Sequence, residues 1–282
     1  MSESNLPTST ETDDQRRQLV QQTREVWEQN AAFWDERLGE GDEFQKRLVI
    51  PTVEGLLAPG PGERILEIAC GNGSFARRLA GHGAEVVATD YSETFIARAR
   101  KRTQPTGRRV DFRVVDATDE RALLELGTRE FDAAVCNMSL SDMASIEPLF
   151  WAIPRLLKTS GRFVFTIMHP CFNHGGSRFV AEEESCNDGL RTRHALRVDN
   201  YLDVPDGRGV TAEGQPASHF TFHRPLSEIL NAAFNAGLVL DGVAEPAYPD
   251  GSGSTHMLSW GNLPNIPPVF AARFRPSGSV VR

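Results

Sequence analysis

From Arg64 onward, short apolar runs alternate with stretches whose apolar positions recur every three or four residues. Arg64 to Ala69, Glu85 to Thr89, Val110 to Val115, Phe131 to Asn137 and Arg162 to Met168 read as strands. Ser74 to Ala80, Thr94 to Arg102, Arg121 to Leu126 and the segment around Ile146 to Leu157 read as helices between them, with Pro154 kinking or ending the last. Such alternation predicts consecutive βαβ units around a parallel sheet, hence an α/β fold. Further on, Pro225 to Ala236 reads as a helix stopped by Gly237, and Leu238 to Val243 and Pro268 to Phe274 as the final strands.

Two regions stand outside this rhythm. Leu19, Val26 and Phe33, and beside them Val20, Trp27 and Trp34, recur every seven residues. That spacing predicts a helix from about Asp14 to Arg37 with one wide apolar stripe, serving as a packing helix or as a lid. Between His169 and Phe222 the alternation stops and Gly, Asn, Asp and Arg dominate, so residues 170–222 are expected to be an inserted cap. The domain reading is therefore a disordered polar tail over 1–14, a helical lid over 15–58, and one large domain over 59–282 that carries the insertion.

The chain has 282 residues, of which 40% are hydrophobic, enough for a sizeable core. A net charge of −8 leaves no basic field for nucleic acid or anionic lipid, and no apolar window reaches bilayer length, so neither partner is expected. The acidic, polar N-terminus lacks the apolar region of a signal peptide, which points to a cytoplasmic protein, monomeric or homodimeric. Cys70, Cys136, Cys171 and Cys186 show no paired spacing, so reduced core or pocket thiols are expected, and no metal site.

Candidate chemistry concentrates in Arg64-Ile-Leu-Glu-Ile-Ala-Cys-Gly-Asn-Gly-Ser-Phe-Ala76, a strand running into a glycine turn and a helix. Gly71 and Gly73 let the backbone turn tightly, and the helix opening at Ser74 aims free N–H groups at a ligand. Glycines of this spacing, with Asp90 nineteen residues past Gly71, also suit a dinucleotide. Glu67, at the strand end four residues before Gly71, separates the readings: its carboxylate repels a diphosphate and favours an ammonium or sulfonium.

Glu67-Ile-Ala-Cys-Gly-Asn-Gly73 resembles the cofactor loop of class I S-adenosylmethionine-dependent methyltransferases. The resemblance, strongest over about residues 60–170, implies a Rossmann-like seven-stranded sheet, mostly parallel with an antiparallel last strand. It implies S-adenosylmethionine as cofactor and S-adenosylhomocysteine as product. By the same likeness Glu67, with Ala69, Gly71, Asn72 and Gly73, holds the methionine end. Asp90, Tyr91 and Ser92 follow the second strand, with Asp90 on the ribose hydroxyls and Tyr91 beside the adenine. Asp116 and Ala117 read the adenine edge, and Asn137 and Met138 line the methyl. A looser likeness over Glu28 to Asp35, Ile167 to Phe172 and Phe222 to Ser227 is to bacterial small-molecule methyltransferases, many of secondary metabolism. The implied acceptor is a small, aromatic or heterocyclic metabolite, for example of the indole type, methylated at O, N or C.

Methyl transfer needs a base only if the nucleophile must lose a proton. His169, directly after the fifth strand, is the first candidate, followed by His223 and Asp142, the last also placed to cap a helix. Trp34, Phe172, Tyr201 and Phe220 are candidates for an aromatic substrate pocket. A nicotinamide-dependent oxidoreductase is the competing reading, disfavoured by Glu67 and by the lack of a Tyr-x-x-x-Lys pair. A non-catalytic S-adenosylmethionine-binding protein is the third.

Overall fold

The apolar runs form strands where the pattern places them: β1 (Arg64–Ile68), β2 (Glu85–Asp90), β3 (Val110–Val114), β4 (Phe131–Asn137) and β5 (Leu157–Met168). The intervening periodic stretches form α3 (Ser74–Gly81), α4 (Glu93–Thr103), α5 (Glu120–Leu124) and α6 (Glu147–Leu156). The computed structural model describes residues 9–279 apart from positions 188, 250, 251 and 253–255. Two helices precede β1, α1 (Ser9–Leu38) and α2 (Ile50–Leu57). After β5 come β6 (Ser177–Cys186), β7 (Gly189–Val198), β8 (Gly207–Gly209), β9 (His219–Thr221), α7 (Leu226–Asn235), β10 (Leu238–Ala244) and β11 (Val269–Pro276).

Seven strands join one sheet in the order β10-β11-β5-β4-β1-β2-β3. β1 pairs in parallel with β2 and β4, and β11 lies antiparallel between β5 and β10. The sheet is therefore Rossmann-like, mostly parallel, with an antiparallel last strand. Strand order reverses between β1 and β4, and a crevice opens at the carboxyl ends of the strands at such a point.

Both faces of the sheet are covered, which is why its strands read as apolar runs rather than alternations. Leu66 and Ile68 face a core shared with α5, α6 and α7, while Ile65 faces one shared with α2, α3 and α4. Phe131, Phe150, Phe163, Phe165 and Phe274 are fully buried. Burial of each stabilises the fold by about 1.5–3 kcal/mol. Alternation along β1 sends Glu67 to the same face as Ile65, under α3, so the carboxylate is buried at 3% exposure.

α1 begins at Ser9, inside the stretch expected to be a tail; residues 1–8 lie outside the described residues. Its buried positions are Thr23, Val26, Asn30, Ala31 and Asp35, a partly polar face rather than the predicted apolar stripe. The reason is that α1 bridges α4 and the inserted region instead of covering the core. Asp35 pairs with Arg98 at 2.8 Å and with Arg102, and the Glu28 carboxylate accepts from the Thr94 N–H at 3.1 Å. Pro154 does not stop α6, which runs on to Leu156 before the chain enters β5.

The insertion contains what periodicity could not show. β6 and β7 pair over ten residues each as an antiparallel hairpin whose side chains are mostly exposed on both faces. With neither face buried there is no alternation to read. Near its base Phe179 meets Trp260 edge-on, 5.0 Å between ring centroids.

Candidate active site

The turn after β1 is built on left-handed backbone. Gly71 and Gly73 have φ of +54° and +73°, and a Cβ on Gly73 would lie 2.8 Å from the Phe112 ring, so no side chain fits there. Ala69 (φ +55°) and Met138 (φ +59°), at the ends of β1 and β4, are non-glycine residues in the same strained region. Such strain concentrates at functional sites. Met138 is held there by its N–H, which donates to the Thr166 carbonyl at 2.9 Å.

The Asp90 carboxylate accepts from the Gly71 and Ser92 N–H groups, each at 2.9 Å, which ties the glycine turn to the end of β2. Burial nevertheless raises its pKa to about 6, against the opposing pull of those two N–H bonds. Burial pushes Glu67 higher, to about 8, with the Arg77 guanidinium only partly offsetting it. Arg77, 2% exposed, donates to the Asn72 carbonyl at 2.8 Å and to Glu40 at 2.6 Å. The Asn72 amide donates in turn to the Gly39 carbonyl at 2.8 Å, so the segment after α1 is bound to the glycine turn. Asp116 forms a local turn, accepting from the Thr118 N–H at 2.8 Å and its hydroxyl at 2.7 Å.

These strand ends open on one cavity of about 860 Å³ beneath α1. That volume suits a cofactor-sized ligand. Glu67, Ala69, Gly71, Asn72, Asp90, Tyr91, Asp116, Ala117, Asn137 and Met138 line it, as does Trp34. Gly73 and Ser92 do not: Gly73 is packed on Phe112, and the Ser92 hydroxyl caps α4 by accepting from the Phe95 N–H. Both shape the wall without reaching its surface.

The remaining expectations divide. His223 and Asp142 line the cavity, and His169 does not. His169 is 1% exposed, its Nε2 on Glu245 at 2.8 Å and its Nδ1 accepting from the Cys171 N–H at 3.1 Å. With both nitrogens engaged it cannot take a proton from a substrate, so it is a structural cap at the sheet edge. His169→Ala is accordingly expected to lower stability by about 1–3 kcal/mol in urea unfolding, through the unpaired Cys171 N–H, and to leave S-adenosylhomocysteine affinity unchanged in calorimetry.

Three of the four expected pocket aromatics also lie off the wall. Phe172 sits 4.6 Å from the His169 ring, and the Tyr201 hydroxyl accepts from the Leu226 N–H at 2.8 Å at the start of α7. Phe220 points away because strand alternation turns its neighbours His219 and Thr221 to the cavity. Their places are taken by Trp27, Phe95 and Phe222, and by His174 and His219, none of which the sequence singled out as a pocket residue. His219 and His223 stand at His-x-x-x-His spacing, which converges on a metal when helical. Here the first lies on a strand, where positions four apart are separated by about 13 Å. Among the described residues no group of three His, Cys, Asp or Glu side chains could hold a metal ion.

Two orientations follow from hydrogen bonding. His223 Nε2 donates to the Tyr201 carbonyl at 2.7 Å, which leaves the Nδ1 lone pair as the accepting site. Asp142 lies in a short 3-10 turn, Leu140–Asp142, and burial raises its pKa to about 8. Arg224 holds that turn in place by donating to the carbonyls of Leu140 at 3.2 Å, Met143 at 2.8 Å and Ala144 at 3.1 Å.

An open α/β sheet with an acid at each of three successive strand ends around a glycine turn defines a protein that binds a nucleoside-containing cofactor. Residues 66–165 match the methyltransferase domain family. A demethylmenaquinone methyltransferase of Clavibacter sepedonicus is 37% identical over 108 residues, covering 38% of this chain and 42% of that protein. A ubiquinone biosynthesis O-methyltransferase of Thiobacillus denitrificans is 32% identical over 112 residues, covering 40% of this chain and 47% of that protein. The match thus spans less than half the length of these two relatives. The crystal structure of an S-adenosylmethionine-dependent methyltransferase from Mesorhizobium loti aligns with a TM-score of 0.60 at 26% identity, covering 80% of this chain and 96% of the other. Over residues 66–165 the chain is thus similar to the methyltransferase domain family, and its fold is that of an S-adenosylmethionine-dependent methyltransferase of known structure.

The residues present fit that cofactor. Glu67 Oε2, Trp27 Nε1 and Trp34 Nε1 are buried without hydrogen-bond partners. An unpaired carboxylate oxygen and unpaired N–H donors suit a ligand end that carries both an ammonium and a carboxylate. No helix among the described residues is long and apolar enough to cross a membrane.

Proposed function

We propose that this protein transfers the methyl group of S-adenosylmethionine to a heteroatom of a small aromatic or heterocyclic metabolite, as a cytoplasmic tailoring step of secondary metabolism. The observation that carries the proposal is the single cavity in which the strand-end acids meet His223 and Asp142. When bound, the cofactor supplies a methyl carbon already activated by its sulfonium. In this reading Glu67 faces the ammonium of the methionine end, Asp90 receives the ribose hydroxyls, and Asp116 with Ala117 meets the adenine edge. Tyr91 lies beside the adenine, Trp27 and Phe222 give a planar acceptor apolar walls, and α1 with the insertion excludes water above it.

His223 Nδ1 takes the acceptor's proton, because its ring is oriented by the Tyr201 carbonyl and its lone pair is the accepting site. The relative from Thiobacillus denitrificans, named as an O-methyltransferase of ubiquinone biosynthesis, favours a ring hydroxyl as acceptor; an indole-type ring is the heterocyclic alternative. The test is calorimetric titration with S-adenosylhomocysteine and, separately, NAD(H). It is followed by mass spectrometry of phenols, hydroquinones and indoles incubated with methyl-labelled cofactor. Saturable binding of S-adenosylhomocysteine and a labelled ring product are expected. Binding of NAD(H) alone overturns the reading.

With an acceptor in hand, His223→Phe is expected to lower kcat about 100-fold or more without changing S-adenosylhomocysteine affinity. Asp142→Asn should be nearly neutral below pH 8, because the carboxyl with a pKa of about 8 is already protonated there. Its effect should emerge as pH rises above that value, in a kcat against pH profile.

A further inference from the structure

No motif points to His219, yet it is the open end of the most completely buried polar network in the roof of the cavity. The Asn30 side chain, with no exposed surface, donates to the Ala217 carbonyl at 2.8 Å and accepts from the Ala217 N–H at 2.9 Å. The Gln215 amide nitrogen donates to the same carbonyl at 2.6 Å and to His219 Nδ1 at 3.0 Å. Gln215 Oε1 receives the Thr211 N–H and hydroxyl, both at 3.4 Å. Reversing this amide would set two oxygens against each other at Ala217, so its orientation is fixed.

The tautomer of His219 follows. Nδ1 accepts, so the proton resides on Nε2, and a second proton on Nδ1 would face the Gln215 N–H. Burial also lowers the pKa of His219, which keeps the ring neutral. The residue is only 6% exposed and lines the cavity, and its Nε2 has no partner. The Trp27 ring lies 5.3 Å away, tilted by 37°, and forms the adjoining wall. Unlike His223, this histidine cannot act as a base: its accepting nitrogen is occupied, and it presents a fixed N–H donor.

Resting on the methyltransferase reading above, we propose that His219 Nε2–H binds a proton-free oxygen of the acceptor, a carbonyl, carboxylate or phenolate, and so selects ring acceptors that carry one. A neutral donor locked by buried partners discriminates against ligands that offer only an ammonium or other N–H donor at that point, because the donor is then left unpaired, and it favours an anionic or carbonyl oxygen over the weaker-accepting hydroxyl. The same chemistry could come from the methionine carboxylate of the cofactor, and the two sources are separable.

The experiment uses the whole protein saturated with S-adenosylhomocysteine, with benzoate and benzylamine as probes of equal ring size. Nitrogen-15 NMR of the imidazole should show Nε2 protonated at neutral pH, with its signal shifting on addition of benzoate and not of benzylamine. His219→Phe, which keeps the ring against Trp27, should weaken benzoate binding about tenfold, and His219→Gln, which restores a donor, should recover part of it. Affinity for S-adenosylhomocysteine should stay unchanged in both variants. A proton on Nδ1, or benzoate binding indifferent to His219→Phe, overturns the proposal, and loss of S-adenosylhomocysteine affinity in His219→Phe assigns the oxygen to the cofactor and overturns it equally. If the unaltered protein fails to bind S-adenosylhomocysteine, the methyltransferase reading itself falls.

Discussion

Glu67→Gln is expected to stabilise the ligand-free protein above neutral pH while weakening S-adenosylhomocysteine binding by more than tenfold. Both effects come from burial, which raises the carboxyl pKa to about 8 from an ordinary value of 4.5. Between those values the folded protein keeps a proton that the unfolded chain has released. Stability therefore falls as pH rises through this window and levels above about pH 8, by an amount on the order of a few kcal/mol. Glutamine resembles the protonated acid and removes that slope, so urea titrations at pH 6 and pH 8 should converge in the variant.

Binding runs the other way. A cationic ammonium needs the ionised carboxylate, so affinity for S-adenosylhomocysteine should rise about tenfold per pH unit up to about pH 8. It should decline once the ligand's own ammonium loses its proton. In Glu67→Gln the rising limb should be absent between about pH 6 and pH 8, leaving only the part below that range which the Asp90 carboxyl, with its pKa of about 6, contributes. Calorimetry across this range checks it, and a variant that kept the limb would remove Glu67 from the site. The residue trades stability for binding, as functional groups in strained or desolvated sites commonly do.

Asp90→Ala is expected to reduce S-adenosylhomocysteine affinity about 100-fold or more. Two charge-assisted hydrogen bonds to ribose hydroxyls would be lost, each contributing about 1.5–3 kcal/mol. The buried Gly71 and Ser92 N–H groups would also lose their acceptor, freeing the glycine turn from β2. Asp90→Asn keeps one accepting oxygen and should fall between Asp90→Ala and the unaltered protein. The comparison with His169→Ala is the sharper measurement: both remove a buried group, but only the Asp90 change should alter cofactor affinity. Equal affinities in the two variants would show that the end of β2 does not contact the ligand.

The part of the cavity proposed to take the cofactor was largely legible because its residues sit at strand ends, where chain position and spatial position coincide. Glu67, Asp90, Asp116 and Asn137 close or directly follow four strands that neighbour one another in the sheet, so identifying the strands located the site. The acceptor half was poorly legible. His169 holds the right position in the chain, but Glu245, distant in sequence, engages its Nε2. Phe220 and His219 are adjacent in sequence, and only the facing of a three-residue strand decides that the histidine reaches the cavity. A strand that short carries no periodicity from which a facing can be read. Asn30 and Asp35 are polar residues that the apolar stripe of α1 did not single out; they are buried because they pair with Ala217 and with Arg98 and Arg102, contacts no local pattern encodes.

The sequence by itself determined the sheet, the glycine turn and the acids around it, since each depends on local periodicity and on spacing along one βαβ unit. Only the tertiary structure decided which histidines face the cavity, which tautomer each adopts and what roofs the acceptor. Those depend on hydrogen bonds between residues up to 187 positions apart, as between Asn30 and Ala217. Periodicity reports which face of an element is buried. It does not report the partner that buries it.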